Sequence, residues 1–396
     1  MEKVQINDEI EKIQTWNPKK DLSTNEFDYI DLSSVDKNTK EINDSLVCRL
    51  LGIEAPSRAR QLIHVNDVLV STVRPNLNGV ALVSKQYKFA TASTGYCVLR
   101  PKENLNSKYL FYWVQSPFFI KDMTNKASGA SYPAVSDRII KESKIPLPPL
   151  AEQKRIANIL DQADQLRQLN QQILAEYDAL TKSLFLDMFG DPVVNPMGWD
   201  MVKLKNCNSK IGSGATPKGG KESYKKNGIS LIRSMNVYDN YFQYKDLAFI
   251  DDSQANKLKN VIVQEQDVLF NITGASVCRC TIVPNEILPA RVNQHVAILR
   301  PVEGQLNSIF LSHLLISTNC KSKLLGISLK GGATREAITK ESLQEFEIIL
   351  PPITLQNQFA EKIKNIEAQK AQAQAALAES ENLFNCLLQK AFKGDL

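Results

Sequence analysis

Residue types that perform catalysis are sparse in this chain and never gather. Three histidines, His64, His295 and His313, lie far apart in 396 residues. None has metal spacing or a Ser/Asp partner in an identifiable motif, so each reads as a packed or surface histidine. The seven cysteines form no CxxC pair. Cys278-Arg279-Cys280 is the tightest spacing, and it lacks ligand partners nearby; reduced structural thiols are expected. The run from Gly214 to Lys221 looks like a phosphate loop at first sight. It fails because Ala215 stands where a glycine is required and Glu222 replaces the Ser/Thr that would hold Mg²⁺. No GxGxxG follows a strand, and no paired carboxylates stand at suggestive spacing. The expectation is a non-catalytic chain with no metal site and no cofactor of its own.

Chemistry that suits a polyanion is better represented. Between residues 201 and 235 the basic residues are Lys203, Lys205, Lys210, Lys218, Lys221, Lys225, Lys226 and Arg233, against one acid, Glu222. Gly212-Ser213-Gly214-Ala215-Thr216-Pro217 sits among them. A Gly/Ser/Thr loop flanked by lysines offers backbone N–H and hydroxyl donors beside positive charge, which suits phosphate. A solvated basic loop is the plainer reading. Two further Gly/hydroxyl loops form a matched pair, Lys126 to Tyr132 and Lys330 to Arg335. Their alternative is a helix-leading turn with Ser or Thr as cap. The DNA-contact candidates are therefore Arg74, Asn76, Lys85, Lys126, Ser128, Ser131 and Tyr132 in the first half. In the second they are Lys210, Ser213, Thr216, Lys218, Lys221, Arg233, Arg279, Lys330, Thr334 and Arg335. Basic loops would position the duplex on its phosphates, while Asn, Arg, Gln and hydroxyl side chains would read base edges. Binding should weaken steeply with salt.

What must position these residues is a repeat. Pro148-Pro149-Leu150-Ala151-Glu152-Gln153 opens a run of about forty residues without Gly or Pro that ends at Phe189-Gly190-Asp191. Proline in the first turn and glycine past the last are a helix start and stop. Shifted by 203 positions, Pro351-Pro352-Ile353-Thr354-Leu355-Gln356 opens a second such run, ending at Phe392-Lys393-Gly394-Asp395. Heptad seams follow: Ile159, Ala163, Leu166, Asn170, Ile173, Tyr177, Leu180 and Leu184 in one, and Phe359, Ile363, Ile366, Ala373, Leu377, Phe384 and Leu387 in the other. One seam needs the other to cover it. Packed antiparallel, helices of about 57 Å would hold two globular segments at a separation comparable to one or more turns of duplex. Polar Asn170 and Lys370 would fix register.

The segments ahead of the helices repeat as well. Asp67-Val68-Leu69 matches Asp267-Val268-Leu269, and Val98-Leu99-Arg100-Pro101 matches Ile298-Leu299-Arg300-Pro301, both at an offset of 200. Strands are expected at 27–32, in a strand–turn–strand over 62–73, and at 80–83 and 96–99. Helices are expected at 105–115 and 117–123. Val4, Ile6 and Ile13 predict a short strand and helix. The loops between matched strands differ: Arg74-Pro75-Asn76-Leu77-Asn78 faces Gly274-Ala275-Ser276-Val277-Cys278-Arg279. A shared scaffold with divergent loops implies one kind of job done on two targets. Composition agrees with this organisation. The apolar fraction is 43%, enough for each half to bury a core, and the net charge is +5. No run approaches a membrane span and the N-terminus lacks a signal-peptide core, so a cytoplasmic location and no membrane partner are expected.

Taken together, the two Pro-Pro helix starts, the 212–217 loop, the Asp-Val-Leu and Leu-Arg-Pro strands and the Phe-(Lys)-Gly-Asp helix ends resemble the specificity subunit of type I restriction-modification systems, over the whole chain. The resemblance implies an α/β protein with two tandem-repeated target recognition domains separated by two long antiparallel coiled-coil helices. The boundaries are 1–145 for recognition domain 1, 146–191 for the first spacer helix, 192–350 for recognition domain 2 and 351–396 for the second spacer helix. It implies one half of a split, asymmetric double-stranded DNA site per domain, and helices that set the spacer and dock two DNA adenine methyltransferase subunits. S-adenosylmethionine, ATP and Mg²⁺ would belong to those partners and to restriction/motor subunits. Two departures stand out. Leu355-Gln356 replaces the family's frequent Glu-Gln, and Thr15-Trp16-Asn17-Pro18-Lys19 occupies the place of a Gly-Ser-Thr-Pro-like loop in the first domain. The alternative from another class is a coiled-coil scaffold that binds nucleic acid without reading sequence; competition between specific and random duplex separates the two.

Overall fold

The computed structural model describes residues 2–22, 24–329 and 337–396. They fall into two compact units, Met1–Ile173 with Ala373–Leu396, and Leu174–Gln372. Both units are built to one plan.

In the first unit a four-stranded antiparallel sheet runs in the order Ile10–Glu11, Tyr96–Pro101, Val68–Ser71, Val80–Leu82. A second sheet runs Cys48–Leu51, Glu26–Ile30, Thr91–Ser93, Ala59–Leu62, with its two central strands parallel. Lys3–Gln5 pairs with Lys144–Pro146. The second unit repeats each of these. Its sheets run Asn208–Ser213, Val296–Pro301, Val268–Asn271, Cys280–Ile282, and Ala248–Ile250, Ile229–Ile232, Ala290–Val292, Ile262–Val263; Met201–Lys203 pairs with Glu347–Ile349. The expected strands and helices of the first segment are present within a few residues, with helices at Ser107–Trp113 and Pro117–Lys126. The N-terminus differs. A 3-10 turn at Ile6–Glu9 and a strand at Ile10–Glu11 stand where a helix was expected, because Ile10 and Glu11 pair with Pro101 and Arg100.

Alternation along the strands explains the layering. Val68, Val70, Cys97 and Leu99 face a helical core with Tyr109, Leu110 and Trp113. Their neighbours Leu69 and Val98 face the second sheet, with Ile30, Ile63 and Ala92. The second unit does the same, with Val268, Phe270, Ala297 and Leu299 on the helical side and Leu269, Val296 and Ile298 on the other. Side chains at Asn106, Ser116, Ser136, Asn307 and Thr339 accept the first free N–H groups of the helices they precede.

The long helices span Leu150–Phe189 and Ile353–Lys393. Each contributes to both units, and within each unit they run antiparallel. In the first unit Ile156, Ala157, Leu160 and Ala163 share a core with Phe384, Leu388, Ala391 and Phe392. Asn170 Nδ2 donates to Ser380 Oγ (3.2 Å) and Ala376 O (3.3 Å). In the second unit Phe185 and Phe189 pack with Phe359 and Ile363, beside half-buried Leu184 and Ile366. Lys370 Nζ donates to Asp178 (2.6 Å). The second helix follows its expected stripe, with Leu377 and Leu387 half-buried and Phe384 buried.

The first helix keeps Ala163, Asn170 and Leu184 of its expected stripe and gives up much of the rest. Leu166 and Leu180 are exposed, and Ile159, Ile173 and Tyr177 are only half-buried. The globular core takes Ile156 and Leu160 instead, which carries Arg167 into the place assigned to Leu166. Its guanidinium lies 4.8 Å over the Phe384 ring. A heptad alone does not say which of two adjacent stripes a third body covers.

Candidate nucleic-acid interface

Each four-stranded sheet has a locked end and a loop-bearing end. At the locked end Asp67 accepts two hydrogen bonds from Arg100 (2.7 and 2.8 Å) and one from His64 N (2.8 Å). Asp267 does the same with Arg300 (2.7 and 2.8 Å) and Gln264 N (2.7 Å). Both aspartates are fully buried. A buried carboxylate persists only with such satisfaction, and the bidentate fork supplies it. The hydrogen bonds that Arg100 donates to Asp67 hold its guanidinium above its ordinary range.

The helix starts are fastened beside these locks. Gln153 donates to Asn104 O and Pro148 O (2.9 Å each) and accepts from Asn106 N (2.8 Å). Gln356 donates to Gln305 O (3.1 Å) and Pro351 O (2.8 Å) and accepts from Asn307 N (2.8 Å). The Phe-Gly ends close the same cores. Phe392 meets Tyr109 and Trp113 at 5.2 and 5.1 Å, and Phe189 meets Phe310 and Phe359 at 4.7 and 5.3 Å. Gly190 and Gly394 take positive φ just beyond. The repeated motifs are thus framework.

The opposite end carries the variable loops. In the first unit residues 72–79 leave the Val68–Ser71 strand and meet the 128–134 loop. Val73 and Ser128 both bridge to Ala134, and Arg74 N donates to Pro133 O (2.7 Å). This brings Arg74, Asn76, Ser128, Ser131 and Tyr132 together, all exposed. The Arg74 guanidinium lies 4.5 Å over the Tyr132 ring. Lys126 is beside them but paired with Asp122 (2.8 Å). Lys85 is not part of the group. It follows Val80–Leu82, and the Val68↔Leu82 register puts it at the locked end.

In the second unit the register Ser213↔Ala297, Asn271↔Val296 and Phe270↔Cys280 sets residues 214–219, 293–295 and 272–279 along one edge. Gly214 is needed for close approach: a Cβ there would lie 1.8 Å from Val292 O. Its N–H donates to Asn293 O (3.0 Å), and the Thr216 hydroxyl donates to Gln294 Oε1. The Gly-Ser-Gly-Ala-Thr-Pro run therefore also serves as an internal brace. Ser213 sits at the strand's end, half-buried. Lys218 and Lys221 project beyond it, exposed and without an acidic partner among the described residues. Lys210 is spent on Asn260 O, and Arg233 on Asp246 O and the Tyr224 ring. Lys330, Thr334 and Arg335 lie outside the described residues.

Residues no local pattern reveals complete this edge. A cleft of about 550 Å³ is lined by Ser234, Met235, Tyr238, Thr273, Arg279 and His295 among others. Arg279 lies 4.4 Å over the Tyr238 ring. Thr273 Oγ1 is 2.6 Å from His295 Nδ1, so this histidine belongs to the cleft rather than to general packing. His313 is a core residue beside Phe359 and Asn240; burial, then the Lys370 charge, push its pKa down to about 4.

Polar, base-sized loop ends on a duplicated, internally locked frame define a modular recognition protein. The family profile for the type I restriction modification DNA specificity domain matches residues 9–177 and 196–379. The chain is 25% identical over 348 residues to the type I restriction enzyme MjaVIII specificity subunit of Methanocaldococcus jannaschii, covering 83% of this chain and 78% of that protein. It is 27% identical over 332 residues to the EcoBI specificity subunit of Escherichia coli, covering 76% and 68%. A solved structure on assembly and conformational transition of the type I R-M system aligns over 100% of this chain and 98% of its own, at TM-score 0.63 and 26% identity. The chain belongs to the type I restriction-modification specificity subunit family. It is a DNA-sequence specificity subunit and carries no catalysis of its own. No described helix is long and apolar enough to cross a membrane.

Proposed function

We propose that residues 1–145 and 192–350 each read one half of a split, asymmetric duplex site, and that helices 146–191 and 351–396 set the spacing between the halves. The observation that carries this reading is the contrast within each sheet. Asp67/Arg100 and Asp267/Arg300 lock one end identically, while at the other end the equally long loops 72–79 and 272–279 share no residue at any matched position. In the first half the contacts are Arg74, Asn76, Ser128, Ser131 and Tyr132, with Lys126 beside them. In the second they are Ser213, Thr216, Lys218, Lys221 and Arg279, with Thr273 and His295 added by the cleft. Lysines hold phosphates and the remainder face base edges.

The helices dock two DNA adenine methyltransferase subunits, which bring S-adenosylmethionine. Restriction/motor subunits bring the ATP- and Mg²⁺-dependent step, and the complex works in the cytoplasm. Exposed Leu166, Leu169, Leu180, Leu186 and Leu383 on the helices support such docking. The test replaces residues 1–145 with those of another family member and maps adenine methylation in host DNA. One half of the methylated motif is expected to change and the other to stay. An unchanged motif sinks the assignment.

A further inference from the structure

Arginines in this chain are almost all occupied. Of the twelve in the described residues, nine have a guanidinium that donates to a carboxylate or a carbonyl. The other three are Arg58, Arg74 and Arg279. Two of those three lie over a tyrosine ring, Arg74 at 4.5 Å from the Tyr132 centroid and Arg279 at 4.4 Å from that of Tyr238, and both stand at the loop-bearing end of their sheet. They are not equivalent by sequence: the residues at an offset of 200 are Gly274 and Gly79. Each pair sits on a constrained backbone. Arg74 itself has φ +51°, as does Asn78 at +47°, and Cys278 before Arg279 has φ +67°. Non-glycine residues hold such angles at a cost, and arginine is not among those that tolerate them well.

A ring beneath a guanidinium fixes its plane and leaves the N–H fork pointing outward. A planar fork held in one orientation and left without a partner matches the paired N7 and O6 acceptors of guanine in the major groove. A phosphate contact needs no such fixing, and free lysines such as Lys218 and Lys221 are at hand for it. Resting on the half-site reading above, we infer that Arg74 on Tyr132 and Arg279 on Tyr238 each read one guanine, so that both halves of the recognised site contain an obligatory G·C pair.

The experiment selects bound sequences from a random duplex library with the full-length chain in the complex co-purified from its host. The wild type is expected to return a G·C pair at a fixed position in each half. Arg74→Ala and Arg74→Lys should each lose preference at one pair of the first half by roughly 5- to 150-fold, and Arg279→Ala and Arg279→Lys at one pair of the second. The lysine variants keep the charge, so their affinity for random duplex should hold while discrimination goes. Tyr132→Ala should blur the same pair as Arg74→Ala. A half-site without a fixed G·C pair overturns the inference. So does an arginine variant that weakens all sequences equally and lowers the log–log salt slope by about one, the signature of a phosphate contact. A wild-type motif that exists but is blind to these variants overturns the inference alone; no motif at all overturns the half-site reading and this inference with it.

Discussion

Asp67 and Asp267 stand 200 residues apart and make the same three hydrogen bonds to the same kinds of partner. At the other end of the same two sheets, Arg74 and Arg279 each lie on a tyrosine, yet the tyrosines come from unrelated places. Tyr132 follows the Pro117–Lys126 helix, and Tyr238 follows the Ile229–Ile232 strand. A lock is demanded by burial, and burial leaves few solutions. A reading edge is demanded by its target, and different targets leave many. The duplication preserved the first and released the second.

The comparison breaks most visibly if the locks are not equally needed. Asp267→Ala leaves the Arg300 guanidinium without its fork and Gln264 N–H without an acceptor, and a loss of about 3–5 kcal/mol is expected. Asp67→Ala should cost the first unit a similar amount, since Arg100 is no more exposed than Arg300 and recovers no more from water. Denaturant titration checks both; values differing by more than about 2 kcal/mol would mean that one lock has drifted to another purpose.

The next test separates the units by acid. Tyr112 and His313 occupy the same place in their helices, at an offset of 201. Tyr112 donates to Asp161 (2.8 Å), whereas His313 is buried neutral. A depressed folded pKa gives stability that is present above the unfolded value and lost as pH falls toward the folded one. The second unit should therefore weaken from about pH 6.5 to pH 4, by up to about 3 kcal/mol. The first unit has no such histidine. Burial raises Asp164 there, which acts in the opposite sense over the acid range. Hydrogen exchange followed by mass spectrometry between pH 7 and pH 4.5 reads each unit separately. Protection lost first in Met1–Ile173 would contradict this.

Gln153→Ala and Gln356→Ala come third, each losing three hydrogen bonds at a helix start, with about 2 kcal/mol expected apiece. Gln→Glu is the sharper variant, because a carboxylate cannot donate to the two carbonyls that Nε2 now serves. It should be worse than alanine, and a milder effect would mean that water reaches the site.

What could be read from the chain follows the same division. Gln153, Phe189, Asp67 and Arg100 were visible because burial fixed them twice at constant spacing. The helices were visible because their apolar period is long and unbroken by Gly or Pro. The face of the first helix was not, since Leu166 and Arg167 are neighbours and only the globular core decides which turns inward. Tyr238 and His295 were invisible for another reason. They reach Arg279 and Thr273 through strand register, Asn271 against Val296, and no local pattern encodes a register. The bracing role of the loop at 212–217 was not legible, because glycine serves equally for ligand approach and for backbone approach. Here the nearest atom is Val292 O.

The smallest effect is also the most discriminating for the reading edges. Lys126 and Lys218 flank equivalent ends of their sheets, but Lys126 is paired with Asp122 and Lys218 has no acid within reach among the described residues. A phosphate approaching Lys126 meets the Asp122 charge as well, so little net counterion release is gained there. Lys218→Ala should lower the slope of log K against log salt by about one and leave base preference untouched. Lys126→Ala should lower it by distinctly less. Asp122→Asn should raise the slope by freeing Lys126, although it adds no positive charge to the chain. If all three variants shift the slope equally, net charge governs binding and the edge geometry does not. If Lys126→Ala shifts it more than Lys218→Ala, the 126–134 loop swings away from Asp122 on the duplex, and the first domain grips by rearrangement where the second grips as built.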